Sequence, residues 1–132
     1  MSDLFTVEII SPDKTILKLE ANEVTIPSYE GQMGILNNHI PLITFLRPGI
    51  IVIKNNSEKK FYVEEGTVEF SNNNLLILTS TARDLANLDK VLANDMLKKA
   101  ESQLNNTDST DKTDKDRYVE SYKIETLREI IR

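Results

Sequence analysis

The segment of residues 24–53 carries most of the residues that could do chemistry or shape a binding loop. It reads VTIPSYEGQMGILNNHIPLITFLRPGIIVI and holds three of the chain's four glycines, three of its four prolines and its only histidine. Glycine permits positive φ and close backbone approach, whereas proline fixes φ and removes a hydrogen-bond donor. Such a segment specifies one irregular path of turns and strands. Because binding sites concentrate on loops held by a rigid scaffold, function is sought here first.

His39 is the side chain of this segment that could act as a general base. Its nucleophile would be a cysteine, which the chain lacks, or a serine brought close by the fold. No serine lies in a G-x-S-x-G elbow, so acyl transfer has no support. We interpret His39 as a hydrogen-bonded loop histidine, and a role at a protein interface stays open.

Phosphate and metal sites are also disfavoured. Gly31 and Gly34 are followed by an aliphatic pair and a proline-containing strand, whereas phosphate loops need a helix N-terminus. The acidic run NNTDSTDKTDKD at residues 105–116 fits no register of an EF-hand, which requires a central glycine and a final glutamate. This run has no apolar side chain, so we predict a solvated connector without a metal site.

Charge and composition exclude further classes. A net charge of −5 and a pI near 4.9 argue against a nucleic-acid binder. No window approaches the run of about 18 apolar residues that crosses a bilayer. The start MSDLFTVEII has neither a basic region followed by an apolar core nor an Arg/Ser-rich presequence. We therefore expect the protein to stay in the compartment where it is made.

Residues 4–81 have the pattern of short β-strands. Phe5, Val7 and Ile9 alternate with their neighbours, and comparable runs separated by turn residues follow one another along the chain. Such spacing predicts a β-sandwich or barrel. The runs at 50–53 and 75–78 are apolar on both faces, so we expect them to be central strands.

After Thr81 the apolar period changes to three and four residues. This predicts an amphipathic helix from about residue 84 to 104, with Asp84 as its N-cap or first-turn acid. The connector 105–116 would follow, and then a second helix from about 117 to 131, which needs a partner surface because it is short. The predicted organisation is a β-sandwich domain of residues 1–82 and a helical tail of residues 83–132.

The glycine-rich segment carries a resemblance to a known family. PSYEGQMGILNNHIP at 27–41, then LRPG at 46–49, resembles the ε subunit of bacterial F-type ATP synthases. FYVEEGTVEF at 61–70, LLILT at 75–79 and the opening FTVEIISPDKTIL agree with the same pattern. The resemblance covers the sandwich almost end to end and the layout of the tail. It implies a mainly β fold with α, a sandwich of about ten short strands followed by a two-helix hairpin.

The resemblance also implies a function. Members are non-catalytic rotor subunits of the central stalk, coupling proton-driven rotation of the c-ring to the catalytic head through the γ shaft. The matching position is peripheral, on the cytoplasmic face of the bacterial plasma membrane, with no cofactor and no enzymatic activity of the subunit itself. The residues matching the c-ring interface are Glu30, Gly31, Gln32, Met33 and Gly34. Those matching the γ interface are His39, Ile40, Pro41 and Leu42.

The tail raises two regulatory questions. Some members bind ATP through an I/L-D-x-x-R-A motif, to which Leu88, Asp89, Leu92 and Ala93 correspond here. Leu92 stands at the arginine position and lies on the predicted apolar stripe; because a buried leucine cannot pair with phosphate, we expect weak or absent ATP binding. In related subunits the tail can extend to the α/β head and brake ATP hydrolysis. The tail here is long enough, but whether it inhibits stays open.

A second class of function also stays open from the sequence. The chain could be a free-standing β-sandwich adaptor or ligand-binding module whose helices dock elsewhere. The two readings differ in one requirement, because the rotor reading needs a stable complex with a long coiled-coil partner of the γ type.

Overall fold

The computed structural model describes residues 3–105 and 114–132. In this part of the chain, ten strands precede two helices, as the sequence predicts. Their bounds in chain order are β1 Phe5–Ile10, β2 Thr15–Ala21, β3 Glu23–Ser28, β4 Gly31–Leu36, β5 Leu42–Leu46, β6 Gly49–Lys54, β7 Glu58–Val63, β8 Gly66–Ser71, β9 Asn74–Leu78, β10 Arg83–Asp84, α1 Lys90–Asn105 and α2 Asp114–Ile131.

The ten strands form one hydrogen-bonded sheet, and nine of them follow a path that folds back on itself. Its order is β10-β7-β6-β3-β5-β8-β9-β1-β2, and β4 pairs with β3 outside this path. The pairs are antiparallel except for β1 with β9, which is parallel. β3 and β5 meet through a single residue pair, Ser28 with Leu46. This narrow junction is where the path turns from one layer of the sandwich to the other.

The core lies between the two layers, because alternate side chains of both turn toward each other. Val24, Ile26, Ile51 and Ile53 from the first layer share one buried cluster with Val7, Ile9, Val68, Phe70, Leu75 and Ile77 from the second. Fully burying one such side chain contributes about 1.5 to 3 kcal/mol. β6 and β9 each have strands on both sides, which confirms the expectation that the runs at 50–53 and 75–78 are central.

The predicted start of the first helix is wrong. α1 begins at Lys90, about six residues later than predicted, because Arg83–Asp84 forms β10 on the free edge of β7. Leu85 continues this contact by donating its backbone N–H to Lys60 O at 2.9 Å. The free edge of β7 therefore forms hydrogen bonds with backbone groups that would otherwise belong to the predicted helix. The sheet accordingly extends to residue 84, two residues beyond the predicted end of the sandwich domain.

The capping residue differs for the same reason. Asp84 Oδ1 accepts a hydrogen bond from Ala86 N at 2.9 Å, so it closes a turn and does not cap the helix. Asp89 is the N-cap of α1, because its Oδ1 accepts the N–H of Leu92 at 2.8 Å. A carboxylate in this position satisfies a backbone donor that has no partner within the helix.

The second helix begins earlier than predicted. α2 starts at Asp114, not near residue 117, and Asn105 is still part of α1. Of the connector predicted at 105–116, residues 106–113 lie outside the described residues. The two helices pack as a hairpin, in which Ala93 and Ala100 are buried on α1 and Ile124 and Leu127 are buried on α2. Alanines seven residues apart lie on one helix face and let the second helix approach closely.

Candidate partner-binding surfaces

The β3–β4 hairpin presents the residues predicted to face a c-ring. Ser28 pairs with Gly31 across a two-residue turn, Tyr29 and Glu30, and Ser28 Oγ donates to Gly31 O at 2.7 Å. Gly31 has φ +118°, a backbone conformation that side chains rarely adopt. Met33 is half-buried, whereas the other predicted residues are exposed: Glu30, Gly31, Gln32 and Gly34. The hairpin is thus a tight, exposed tip on a rigid pair of strands.

His39 lies in the loop between β4 and β5, and its Nδ1 and backbone N–H are hydrogen-bonded. Its Nδ1 is 2.7 Å from Ile40 O, and its backbone N–H donates to Leu36 O at 3.1 Å. The ring packs edge-on against Phe70 with centroids 5.8 Å apart. His39 is therefore a hydrogen-bonded loop histidine, as interpreted from the sequence. Beside it Ile40 is 75% exposed and Pro41 is exposed, while Leu42 is half-buried.

Three asparagines hold this loop against the β8–β9 turn. Asn73 Oδ1 accepts the backbone N–H of Asn38 at 2.7 Å, and Asn73 Nδ2 donates to Asn37 Oδ1 at 2.7 Å. Asn38 and Asn73 both have positive φ, 64° and 58°, which asparagine tolerates better than most residues. Sequence reasoning missed this contact, although the runs NN and NNN were a visible signal of tight turns.

The structure does not bring the two predicted surfaces together. The turn at Tyr29 and Glu30 precedes β4 and the His39 loop follows it, whereas the other predicted hairpin residues lie on the first part of β4 itself. At about 3.3 Å per residue, the six residues of β4 hold the turn and the loop about 20 Å apart. The two surfaces can therefore contact two different partners at once.

An apolar face on the outside of β5 extends the His39 surface. Leu46 is buried, but Ile43 and Phe45 point outward and are 76% and 63% exposed. Phe45, Thr67 and Leu78 lie opposite one another across β5, β8 and β9, and Leu78 is 44% exposed. Exposed large apolar side chains gathered on one face of a sheet mark a contact surface. The sequence did not reveal this exposed face, because both faces of the strand LITFL carry large apolar residues.

The second helix docks onto the sandwich through an aromatic contact. The guanidinium of Arg47 lies 4.6 Å from the ring centre of Tyr122, and the ring of Tyr29 packs edge-on against Tyr122 at 6.3 Å. Arg47 Nε also donates to Ser28 O at 3.1 Å and Nη1 to Pro48 O at 3.0 Å. The tail thus rests beside the turn of the β3–β4 hairpin. These residues, far apart in sequence, were not predicted.

A polar cluster beside this contact adds a second attachment. Lys123 Nζ is 3.3 Å from Glu120 Oε1 and 3.9 Å from Glu64 Oε2. Tyr62 is fully buried and donates its hydroxyl proton to Glu64 Oε2 at 2.9 Å. Burial, and then the negative charge of Glu64, raises the pKa of Tyr62 well above its ordinary range. Tyr62 therefore stays protonated and serves as a donor.

Comparison with known proteins identifies the family. Residues 4–84 match the family model described as the ATP synthase, Delta/Epsilon chain, beta-sandwich domain. Over 130 residues, 97% of this chain and 98% of the relative, the sequence is 44% identical to an ATP synthase epsilon chain of Pelagibacter ubique. The chain belongs to the ATP synthase epsilon chain family. A second epsilon chain, from Afipia carboxidovorans, is 33% identical over 84% of this chain and 82% of the relative.

Solved structures agree with the epsilon-chain fold. A chain in the mitochondrial ATP synthase of Euglena gracilis, solved with OSCP, F1 and c-ring, matches with a TM-score of 0.74 and 21% identity, covering 97% of this chain and 79% of that one. A chain of the Tetrahymena thermophila central stalk and c-ring matches with a TM-score of 0.61 and 16% identity over 96% of both. At these identities the likeness is one of fold.

The positions of the family's ATP motif lie around the start of α1 in this epsilon-family chain. Leu88 precedes the helix, Asp89 caps it and Ala93 is fully buried. Leu92 was expected to be buried, and this is wrong: it is 37% exposed, because α1 begins later and its buried face is formed by Ala93 and Ala100. A leucine still offers no charge to phosphate, so weak or absent ATP binding stays a prediction.

Neither of the helices between residues 3–105 and 114–132 is long and apolar enough to cross a membrane. Within the same ranges, no three His, Asp or Glu side chains cluster in a way that could hold a metal ion.

Proposed function

We propose that this chain is the non-catalytic rotor subunit in the central stalk of an F-type ATP synthase. In this role it couples proton-driven rotation of the c-ring to the catalytic head through the γ subunit. The observation that carries the proposal is the placement of exposed residues at both ends of β4, in the hairpin turn and in the His39 loop, on an epsilon-chain sandwich. A coupling subunit must hold two partners in a fixed relation, and a packed β-sandwich is rigid enough to do so.

The hairpin of Glu30, Gly31, Gln32, Met33 and Gly34 faces the c-ring in this proposal. Its tight turn keeps the tip from bending under load, since Ser28 closes it with a side-chain hydrogen bond. Gln32 offers an amide where a carboxylate could have paired with a charged ring loop. The contact here is therefore one of shape and hydrogen bonding, with Glu30 as the charged residue of the tip.

The γ subunit lies on the other surface. His39, Ile40, Pro41 and Leu42 form one end of it, and the outward side chains Ile43 and Phe45 continue it along β5. Burying these apolar side chains against a long helical partner supplies the free energy of association. The alternative, a free-standing adaptor, leaves this face exposed to water.

The location follows from the partners. As part of the ATP synthase the chain is peripheral to the membrane, on the cytoplasmic face of the bacterial plasma membrane, and it carries no cofactor. Catalysis belongs to the α/β head, which the tail reaches only if α2 leaves the sandwich. Deleting residues 106–132 and measuring ATP hydrolysis by membranes tests whether the tail inhibits the enzyme. An unchanged rate of hydrolysis would show that it does not.

The coupling role is tested by replacing the apolar face. The variant Ile43→Ser/Phe45→Ser is added to membranes depleted of the native subunit, and ATP-driven proton pumping is measured. We expect the wild type to restore pumping and the variant to restore little of it, since γ contact is lost. Val91→Ser is the matched control, because Val91 is 72% exposed on α1, away from this face. A stable, monomeric wild-type chain that neither binds γ nor restores pumping would support the adaptor instead.

A further inference from the structure

The turn of the β3–β4 hairpin has two residues, and they serve different contacts. The ring of Tyr29 packs edge-on against the ring of Tyr122 on α2, with centroids 6.3 Å apart. Glu30, the next residue, is exposed and belongs to the residues assigned to the c-ring. The turn therefore presents one side chain to the tail and one to the proposed ring contact.

Arg47 fixes the backbone at the entry to this turn. Its Nε donates to Ser28 O at 3.1 Å, and its backbone N–H donates to Pro27 O at 3.0 Å. Ser28 closes the turn by donating its Oγ to Gly31 O at 2.7 Å. The turn and the guanidinium thus form one hydrogen-bonded unit. Because a guanidinium donates in fixed directions, its position follows the position of the turn.

The tail contacts both parts of this unit through a single residue. The guanidinium of Arg47 lies 4.6 Å from the ring centre of Tyr122, and Tyr29 packs against the same ring. A cation–π contact needs the cation within about 6 Å of the ring centre, and an aromatic pair needs centroids about 4.5 to 7 Å apart. A displacement of the turn therefore weakens both contacts of Tyr122 together.

The other attachment of α2 does not involve the hairpin. Lys123 Nζ lies 3.9 Å from Glu64 Oε2. Glu64 is held by the hydroxyl of Tyr62 at 2.9 Å and by Thr81 Oγ1, which accepts its backbone N–H at 3.0 Å. None of these residues belongs to β3, β4 or their turn. Docking of α2 thus depends on the turn through Tyr122 and is independent of it through Lys123.

We propose that contact of the c-ring with the hairpin turn stabilises the docked position of α2 through Tyr29 and Arg47. The inference rests on the proposed function and deepens it. A ring that contacts Glu30 and the first residues of β4 holds the turn in its closed form, so that Tyr29 and Arg47 stay in place for Tyr122. Docking of α2 onto a turn that is already ordered costs less conformational entropy.

The coupling between ring contact and tail docking is reciprocal. Because the ring and the docked α2 favour the same form of the turn, each raises the affinity of the other by the same factor. Coupling between two sites is typically about 5- to 150-fold. Only the two contacts of Tyr122 carry it here, so we expect about fivefold. Loss of the ring contact consequently increases the fraction of chains in which α2 is released.

Amide hydrogen exchange in α2 tests this coupling. The full-length chain is measured in complex with the purified γ subunit, with and without a saturating amount of the purified c-ring of the same ATP synthase. We expect the ring to slow exchange in α2 about fivefold in wild type. In Tyr29→Ala and in Arg47→Ala the ring should slow exchange much less, because each variant removes one contact between the turn and Tyr122.

Lys123→Gln is the matched control, because it weakens docking without touching the hairpin. Exchange in α2 should be faster in this variant than in wild type, both with and without the ring. The slowing caused by the ring should keep its wild-type factor. If Lys123→Gln loses this slowing as Tyr29→Ala does, the effect reflects the strength of docking alone and the inference is overturned.

The affinity for the ring provides the reciprocal readout. Tyr122→Ala removes the tail's contact with the turn and is expected to weaken binding of the γ complex to the c-ring about fivefold, although Tyr122 lies on the tail. Ser121→Ala is its control, because Ser121 is the exposed neighbour on α2. Circular dichroism checks that all variants keep the wild-type helix content.

The outcomes separate the inference from the proposed function. Equal slowing in wild type and Tyr29→Ala overturns the inference, and so does faster exchange when the ring is added. In both cases the ring binds, so the proposed function stands. If the wild-type complex does not bind the ring at all, the proposed function fails as well.

Discussion

The guanidinium of Arg47 lies over the ring of Tyr122, 4.6 Å from its centre, and joins the tail to the sandwich. The same guanidinium donates to the carbonyl of Ser28, which closes the turn of the β3–β4 hairpin. One side chain thus supports both the docked position of α2 and the hairpin assigned to the c-ring. This arrangement makes Arg47 the residue through which the tail and the hairpin influence each other.

In the Arg47→Ala variant, α2 is expected to detach from the sandwich more often than in wild type. The loss of the cation–π contact and of two hydrogen bonds should lower the free energy of local opening of α2 by about 1 to 2 kcal/mol. Amide hydrogen exchange in α2, read by mass spectrometry, measures this change. Arg132→Ala is the control, because Arg132 is exposed at the end of the chain, away from Tyr122. Unchanged exchange in α2 would contradict the role of Arg47.

Tyr62→Phe should alter how stability depends on alkaline pH. Burial raises the pKa of Tyr62 above its ordinary value of 10.0, so above that pH the unfolded chain loses this proton while the folded chain keeps it. Below pH 10 Tyr62 makes its full contribution to the free energy of unfolding, and this contribution falls as the pH rises further. Urea unfolding at pH 8 and near pH 11 should show that Tyr62→Phe loses less unfolding free energy between the two pH values than wild type does. Tyr118→Phe, at an exposed site, should behave like wild type; equal losses in all three proteins would refute this account.

Gly66→Ala is expected to destabilise the sandwich by about 2 to 3 kcal/mol. Gly66 has φ +153°, and an added Cβ would collide with Leu78 O and lie 2.9 Å from Thr79 Cβ. Gly34→Ala is the matched control, since its Cβ would meet only Glu23 Oε1, at 4.0 Å. Thermal unfolding distinguishes the two, and a Gly66 variant as stable as the Gly34 variant would rule out the predicted collision.

Asn73→Gly should loosen the His39 loop without straining the β8–β9 turn. Glycine keeps the positive φ but loses both side-chain hydrogen bonds, to Asn38 N and Asn37 Oδ1, with a cost of about 1 to 2 kcal/mol. We expect faster amide exchange at Asn38 and weaker γ binding. Asn72→Gly serves for comparison, because Asn72 has φ +50° and its contact with Asn74 uses only its backbone carbonyl.

ATP is expected to bind weakly or not at all. Leu92 offers no donor to phosphate, and Asp89 is engaged as the N-cap of α1. Calorimetry on the isolated chain should detect no binding below millimolar ATP. Leu92→Arg is the informative variant, because Leu92 is 37% exposed and a guanidinium there can reach solvent. Submillimolar binding by wild type would show that this chain uses other residues for the nucleotide.

The sequence by itself determined the class of fold and the family. Alternating apolar residues such as Phe5, Val7 and Ile9 can bury one face only in a strand, and the change to a helical period after Thr81 separates tail from sandwich. The order of glycines, His39 and prolines in residues 24–53 carried the resemblance, because such backbone constraints are local. For the same reason His39 was correctly interpreted as a hydrogen-bonded loop histidine, whereas the turn of the β3–β4 hairpin lies at Tyr29 and Glu30, just before the glycines.

Only the tertiary structure decided where long-range contacts compete with local preference. Asp84 reads as a helix cap, but the free edge of β7 draws residues 83–84 into the sheet and leaves the cap to Asp89. Both faces of the strand LITFL, residues 42–46, carry apolar side chains. Only the packing of Leu46 into the core shows that Ile43 and Phe45 are the exposed ones. The contact of Arg47 with Tyr122 joins residues 75 positions apart (122 − 47), a distance over which no local pattern carries information.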